Sequence, residues 1–111
     1  ILWYRFNKDS ITEPQKLFST AQEGWLAHLM GDLLFVKNFP NTKVSELPPG
    51  QGEVEIFAQE GGLYIELENH GPYTNLKPGE YLTYMEKWYL RKVNPASIPS
   101  DLVGMVKCIV D

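Results

Sequence analysis

Glu53-Val54-Glu55-Ile56-Phe57-Ala58-Gln59-Glu60-Gly61-Gly62-Leu63-Tyr64-Ile65-Glu66-Leu67-Glu68 decides the fold. The runs Glu53–Ala58 and Leu63–Glu68 alternate acidic or aromatic residues with aliphatic ones, and the polar stretch Gln59-Glu60-Gly61-Gly62 separates them. Period-two alternation on both sides of a glycine-ended loop is the pattern of an antiparallel hairpin. Closing the chain on those residues sets a register in which Ala58 faces Leu63, Phe57 faces Tyr64, Glu55 faces Glu66 and Glu53 faces Glu68. Val54, Ile56, Ile65 and Leu67 then share the opposite face. The ribbon is apolar on one side, and aromatic and acidic on the other.

Outward from this hairpin the same rhythm continues. Glycines and prolines, nine and eight in the chain, punctuate it at Pro14, Gly24, Gly31, Pro40, Pro48-Pro49-Gly50, Gly61-Gly62, Gly71-Pro72, Pro78-Gly79, Pro95 and Pro99, among other positions. Between them lie further strand-length pieces rich in β-branched or aromatic residues: Leu2–Phe6, Gly24–Met30, Leu33–Asn38 and Glu80–Arg91. Thr12–Gln22 suits a helical turn opened by Thr12-Glu13-Pro14-Gln15 and a loop equally well. Near the C-terminus Ile98, Leu102, Met105, Val106 and Ile109 recur at helical spacing, with Pro99 in the first turn, Ser97 or Ser100 as N-cap and Gly104 as the one weak position. The expectation is an all-β, antiparallel β-sandwich-like domain spanning residues 1–111, with a short C-terminal helix.

Composition bounds the function classes. The chain has 111 residues, 43% of them hydrophobic and 22% charged, which suits one small domain with a packed core and excludes a disordered chain. The formal net charge of −4 argues against a nucleic-acid footprint, and no apolar run approaches the roughly 18 residues of a membrane span. Neither nucleic acid nor membrane is therefore an expected partner. The single cysteine, Cys108, cannot form an intramolecular disulfide and lies on the apolar side of the expected helix as a packed thiol. Ile1 opens the chain without the charged and apolar blocks of a signal peptide, which suggests a C-terminal segment of a larger protein.

The chemistry-bearing residues gather on the hairpin. Glu53, Glu55, Glu66 and Glu68 share one face, although like charges set opposite each other destabilise a sheet by roughly 0.2–1 kcal/mol per pair. Three explanations compete: a solvated face interleaved with Lys37, Lys87 or Arg91; a cleft in which carboxylates accept hydrogen bonds from sugar hydroxyls; and a divalent cation, with oxygen-loving calcium as the choice. No other cofactor is called for. Trp3, Trp25, Tyr64, Tyr73 and Trp88 could offer flat faces for sugar stacking, or simply build the core. Glu86 falls in the alternating set Leu82, Tyr84, Trp88 and Leu90, so it needs a partner such as Arg91, Arg5 or Lys37. His28 lies on the surface of a strand, and His70 follows the acidic strand near its ligand side; neither belongs to a known metal spacing or catalytic triad.

Glu55-Ile56-Phe57, Leu63-Tyr64-Ile65-Glu66-Leu67-Glu68-Asn69-His70-Gly71-Pro72, Leu76-Lys77-Pro78-Gly79-Glu80 and Glu86-Lys87-Trp88-Tyr89-Leu90 together resemble the C-terminal part of the galactose mutarotase-like, or aldose 1-epimerase-like, β-sandwich superfamily, and most nearly an uncharacterised bacterial branch of it. Gly24-Trp25-Leu26-Ala27 and Leu34-Phe35-Val36-Lys37 extend the likeness, which covers roughly Gly24 to Leu90. The resemblance implies about half of a mutarotase-like supersandwich. It also implies that Glu66 matches the family's general base on the anomeric hydroxyl, with Glu68 as the alternative. The acid histidine of such enzymes belongs to motifs that nothing in Ile1–Asn38 resembles.

Three functions follow as expectations. The first is a carbohydrate-binding domain in which Tyr64, Glu66 and Glu68 hold the sugar, supported by Glu55 and His70, with no metal ligand assigned. The second is an epimerase-type enzyme active only in the complete protein. The third is a structural half-sandwich that packs as a homodimer or against a missing N-terminal half.

Overall fold

The computed structural model describes residues 1–94, 96–97 and 99–111. Its elements run β1 (Gln15–Ser19), β2 (Trp25–Met30), β3 (Leu33–Asn38), β4 (Val54–Ala58), β5 (Ile65–Asn69), β6 (Lys87–Lys92) and α1 (Pro99–Val110). All strand pairings are antiparallel, in two three-stranded sheets ordered β1-β4-β5 and β2-β3-β6. Two antiparallel sheets and one short helix are the elements of a small β-sandwich, so the expected fold class holds. The chain divides into two compact units, Ile1–Thr20 with Thr42–Thr74 and Ala21–Asn41 with Asn75–Asp111.

In the first unit β4 lies between β1 and β5. The hairpin forms, but its register is two residues away from the one expected: Glu55 stands opposite Glu68, Phe57 opposite Glu66 and Ala58 opposite Ile65. The turn is the cause. The connection runs from Gln59 to Tyr64, is closed by Gln59 N–H donating to the Tyr64 carbonyl at 3.1 Å, and contains a 3-10 turn at Glu60–Gly62 with Gly61 at φ 68° and Gly62 at φ 66°. A Cβ at Gly62 would run into Lys8, so glycine is required there on both counts. A slip of two residues preserves the faces, because the side-chain period is two.

Glu53 lies outside the strand. It is buried, and its carboxylate accepts the Thr42 backbone N–H at 2.7 Å, which leaves Glu55, Glu66 and Glu68 as the carboxylates within the paired strands. The segment left between helix and loop by its sequence forms β1, whose Gln15, Leu17 and Ser19 face one way while Lys16 and Phe18 share the face of Glu55 and Phe57. Leu2–Phe6, expected as a strand, is irregular.

In the second unit β3 is central, and its Leu34 and Val36 form a core with Val106 of α1. Trp25, Ala27, Leu29, Tyr89, Val93, Ile109 and Val110 pack around them. Removing each such aliphatic side chain from water is worth about 1.5–3 kcal/mol, which explains why α1 runs straight through Gly104. The helix begins at Pro99, so Ser100 lies inside its first turn and is not the N-cap; Ile98 and Pro95, which the expectation also used, lie outside the described residues. Cys108 is exposed, not packed: it follows buried Val106 by two residues, about 200° around the helix.

The expected strand Glu80–Arg91 is shortened to β6. Pro78-Gly79 makes a turn fastened by the Lys77 backbone N–H on Glu80 Oε2 at 2.9 Å, and the chain pairs with β3 only from Lys87 onward. Leu82, Trp88 and Leu90 are exposed while Tyr84 and Glu86 of the same alternating set are half-buried, so that set does not form a buried face.

Candidate functional site

The three strands of the first sheet place Lys16 and Phe18, then Glu55 and Phe57, then Glu66 and Glu68 on one face. His70 extends that face, because its backbone N–H donates to the Glu53 carbonyl at 2.7 Å and continues the β4–β5 ladder by one step. Glu66, Glu68 and His70 therefore alternate along one edge. Ending the strand at Glu68 hides this spacing in the sequence, although the i, i+2, i+4 signal is present.

The depths differ along the face. Glu55 is only 2% exposed and forms an ion pair with Lys16, whose side chain is about half exposed. The hydrogen bond to Glu55 holds the Lys16 ammonium above its ordinary pKa against the opposing effect of desolvation, and the charges of Glu55, Glu68 and Glu66 add to it. Glu55 thus lies beneath the surface that a ligand would meet. Glu66 is exposed and stands opposite Phe57, while Glu68 is half-buried opposite Glu55.

Tyr64 precedes β5 and is 48% exposed, with its ring centroid 6.1 Å from that of Phe57 in a tilted pair. Lys16 Nζ lies 6.0 Å from the Phe57 ring centroid. Together these groups make an amphipathic surface of two rings, two accessible carboxylates and an ammonium.

His70 is anchored on several sides. Its Nδ1 is 2.8 Å from the Gly52 carbonyl, which can only accept, so Nδ1 carries the proton. Its own carbonyl accepts the Thr42 hydroxyl at 2.9 Å. Nε2 is left facing the carboxylates, 4.0 Å from Glu68 Oε2. Glu55, Glu68 and His70 each bring one donor atom to within 4.8 Å of the others. The sequence offers a sugar or a calcium ion for the acidic face, but not this grouping with His70, because it joins two strands across a register fixed by the turn. A shallow pocket bounded by Tyr4, Gln15, Lys16, Leu17 and Ile56 carries neither carboxylate nor imidazole on its walls.

The second sheet holds the remaining candidates. Lys37 on β3 is buried and pairs with Glu86 at 3.5 Å, one of the partners anticipated for that glutamate. Trp88 donates its indole N–H to Glu86 Oε2 at 2.7 Å, lies under the Lys37 ammonium at 5.6 Å and meets Phe35 edge-on at 5.6 Å. Trp25 belongs to the core, whereas Trp3 and Tyr73 are exposed. His28, half-buried on β2 opposite Phe35, is held below its ordinary pKa by desolvation.

Residues 4–91 match the family described as Domain of unknown function (DUF4380). The chain belongs to this family. Comparison with curated proteins and with solved structures gives no match. Among the described residues no helix of this DUF4380 chain is long and apolar enough to cross a membrane.

Proposed function

We propose that this DUF4380 domain binds a carbohydrate on the acidic face of the β1-β4-β5 sheet. The observation that carries the reading is the Phe57–Tyr64 ring pair beside exposed Glu66 and half-buried Glu68. Sugars present apolar C–H faces to aromatic rings and hydroxyl donors at their rims, so rings flanked by carboxylates meet both needs. Glu66 accepts from hydroxyls, Tyr64 supplies the platform, and Glu68 and His70 border the site. Glu55, locked to Lys16 below, holds the strands rather than the ligand. The sequence likeness to mutarotase-like sandwiches supports the same ligand class.

Binding is favoured here over epimerisation by this chain alone. Glu66 and His70 are four residues apart on one strand, which separates their Cα atoms by roughly 13 Å. A base and an acid that must touch one hemiacetal need closer placement. An amide NMR titration of the labelled chain with a monosaccharide panel tests the reading. The expected result is shifts confined to Tyr64, Glu66 and Glu68, with Glu66→Gln weakening the affinity tenfold or more, about 1.4 kcal/mol, as for loss of a charge-assisted hydrogen bond. Unchanged affinity in that variant, or no response to any sugar, would overturn the proposal.

A further inference from the structure

We propose that Glu55, Glu68 and His70 form a binding site for a divalent transition-metal ion, with zinc the best match. The site is built across two neighbouring strands, Glu55 on β4 directly opposite Glu68 on β5, with His70 one ladder step beyond. The donor atoms lie within 4.8 Å of one another, and metal–ligand bonds of about 2.0–2.2 Å draw such donors together by small side-chain rotations. The imidazole makes this more than an acidic patch. A histidine that ligates a metal through one nitrogen characteristically donates the other N–H to a carbonyl or carboxylate, which fixes the ring and its tautomer. His70 has that second hydrogen bond already, from Nδ1 to the Gly52 carbonyl at 2.8 Å, and the neutral ring turns its Nε2 lone pair toward the carboxylates.

Charge and depth agree with this assignment. Setting two glutamates opposite each other with one of them 2% exposed is unfavourable unless a cation sits between them. In the metal-free chain the Lys16 ammonium supplies one positive charge from β1. Its side chain is 55% exposed, so it can swing into water and leave Glu55 to a dication. Lys16 is then a competitor that the metal displaces. Calcium fits poorly, because it seeks six to eight oxygen donors and gains little from imidazole, whereas zinc takes three mixed oxygen and nitrogen ligands and keeps a fourth position for water. Glu68 and His70 border the sugar site as well, but Glu66 and Tyr64, which carry the sugar in the reading above, take no part here, so Glu66→Gln tests the sugar alone and zinc titrated without sugar tests the metal alone.

The test is zinc chloride titrated into the full chain without any sugar, followed by calorimetry and by the ring-nitrogen NMR signals of the two histidines. One equivalent of zinc is expected, with a large shift at His70 Nε2 and none at His28. His70→Ala and Glu68→Gln should each weaken binding at least tenfold, while His28→Gln leaves it unchanged. Lys16→Gln should tighten zinc binding and raise the thermal midpoint of the variant on adding metal. Should that variant fail to fold even with zinc, His70→Ala and Glu68→Gln decide, with their amide spectra reporting that the sheet is intact. Absence of binding to the parent chain, binding that survives both of those substitutions, or calcium binding as tight as zinc would each overturn the proposal.

Discussion

In the β1-β4-β5 sheet the middle strand buries a carboxylate, Glu55, and in the β2-β3-β6 sheet the middle strand buries an ammonium, Lys37. Each is met by an opposite charge from elsewhere in its own unit, Lys16 on β1 in one case and Glu86 just before β6 in the other. The surroundings then diverge. Around Lys37 the further neighbours are rings, with Trp88 under the ammonium and its indole N–H on the half-buried Glu86 carboxylate, so one positive charge is matched by one negative charge. Around Glu55 the further neighbours are Glu66, Glu68 and His70, so the single ammonium of Lys16 leaves negative charge over. A buried ion pair whose charges cancel is a structural plug. One set among surplus ligating groups is a place where a cation or a hydroxyl-rich ligand gains by binding.

The sharpest way to break this contrast is to remove the two members of the Glu55 pair separately. Lys16→Met strands a carboxylate that is 2% exposed beside Glu68, whereas Glu55→Met frees an ammonium whose stem already reaches water. Glu55→Met also ends the like-charge confrontation across the ladder, so its cost is about 1 kcal/mol or less. Lys16→Met is expected to lose roughly twice as much stability or more, read as the shift in urea midpoint at neutral pH. Equal losses would mean that the pair holds the sheet by packing alone and that no surplus charge is waiting for a ligand.

Glu86→Gln probes the other sheet with a smaller effect. The amide keeps the shape and still accepts the Trp88 indole N–H, and the Lys37 ammonium keeps the ring 5.6 Å away, so the loss is about 1 kcal/mol. The same denaturation experiment measures it. A loss matching that of Lys16→Met would make the two buried charges equivalent and erase the distinction between plug and site.

What could be seen in the sequence, and what could not, follows the same division between local and distant causes. The alternation of Glu53–Ala58 and Leu63–Glu68 is local, and it correctly separates the faces that carry Tyr64, Glu66 and Glu68 from those that carry Val54, Ile56 and Leu67. The register is not local, since it depends on two left-handed glycines and on Lys8 lying against Gly62. The Glu55–Lys16 pair was invisible because Gln15–Ser19 is a polar edge strand whose Thr12-Glu13-Pro14 lead-in equally suits a helical turn. Glu80–Arg91 has the alternation of a long strand, but only its last residues find a partner on β3, and pattern without a partner does not make a ladder. The Glu55–Glu68–His70 grouping required both the register, which the glycine turn and Lys8 set, and one further ladder step from the His70 N–H to the Glu53 carbonyl.

The smallest expected effect concerns the histidine of the second sheet. His28 faces Phe35 across the β2–β3 ladder on the side that also holds Lys37, and desolvation keeps its pKa below the ordinary value of about 6.5. As pH falls from about 8, the unfolded chain takes up this proton near 6.5 while the folded chain still resists it. The unfolded state then binds more protons, so stability rises with pH across this window and is lost as pH drops through 6.5 toward the lower folded value. His28→Phe removes the titration and puts a ring beside Phe35. The urea midpoint of the parent should therefore fall relative to the variant between pH 7.5 and about 5.5, with the gap constant above that window. Parallel curves for parent and His28→Phe would show that the second sheet is wetter at β2 than its burial implies, and would bring the two sheets closer in character than their buried ions suggest.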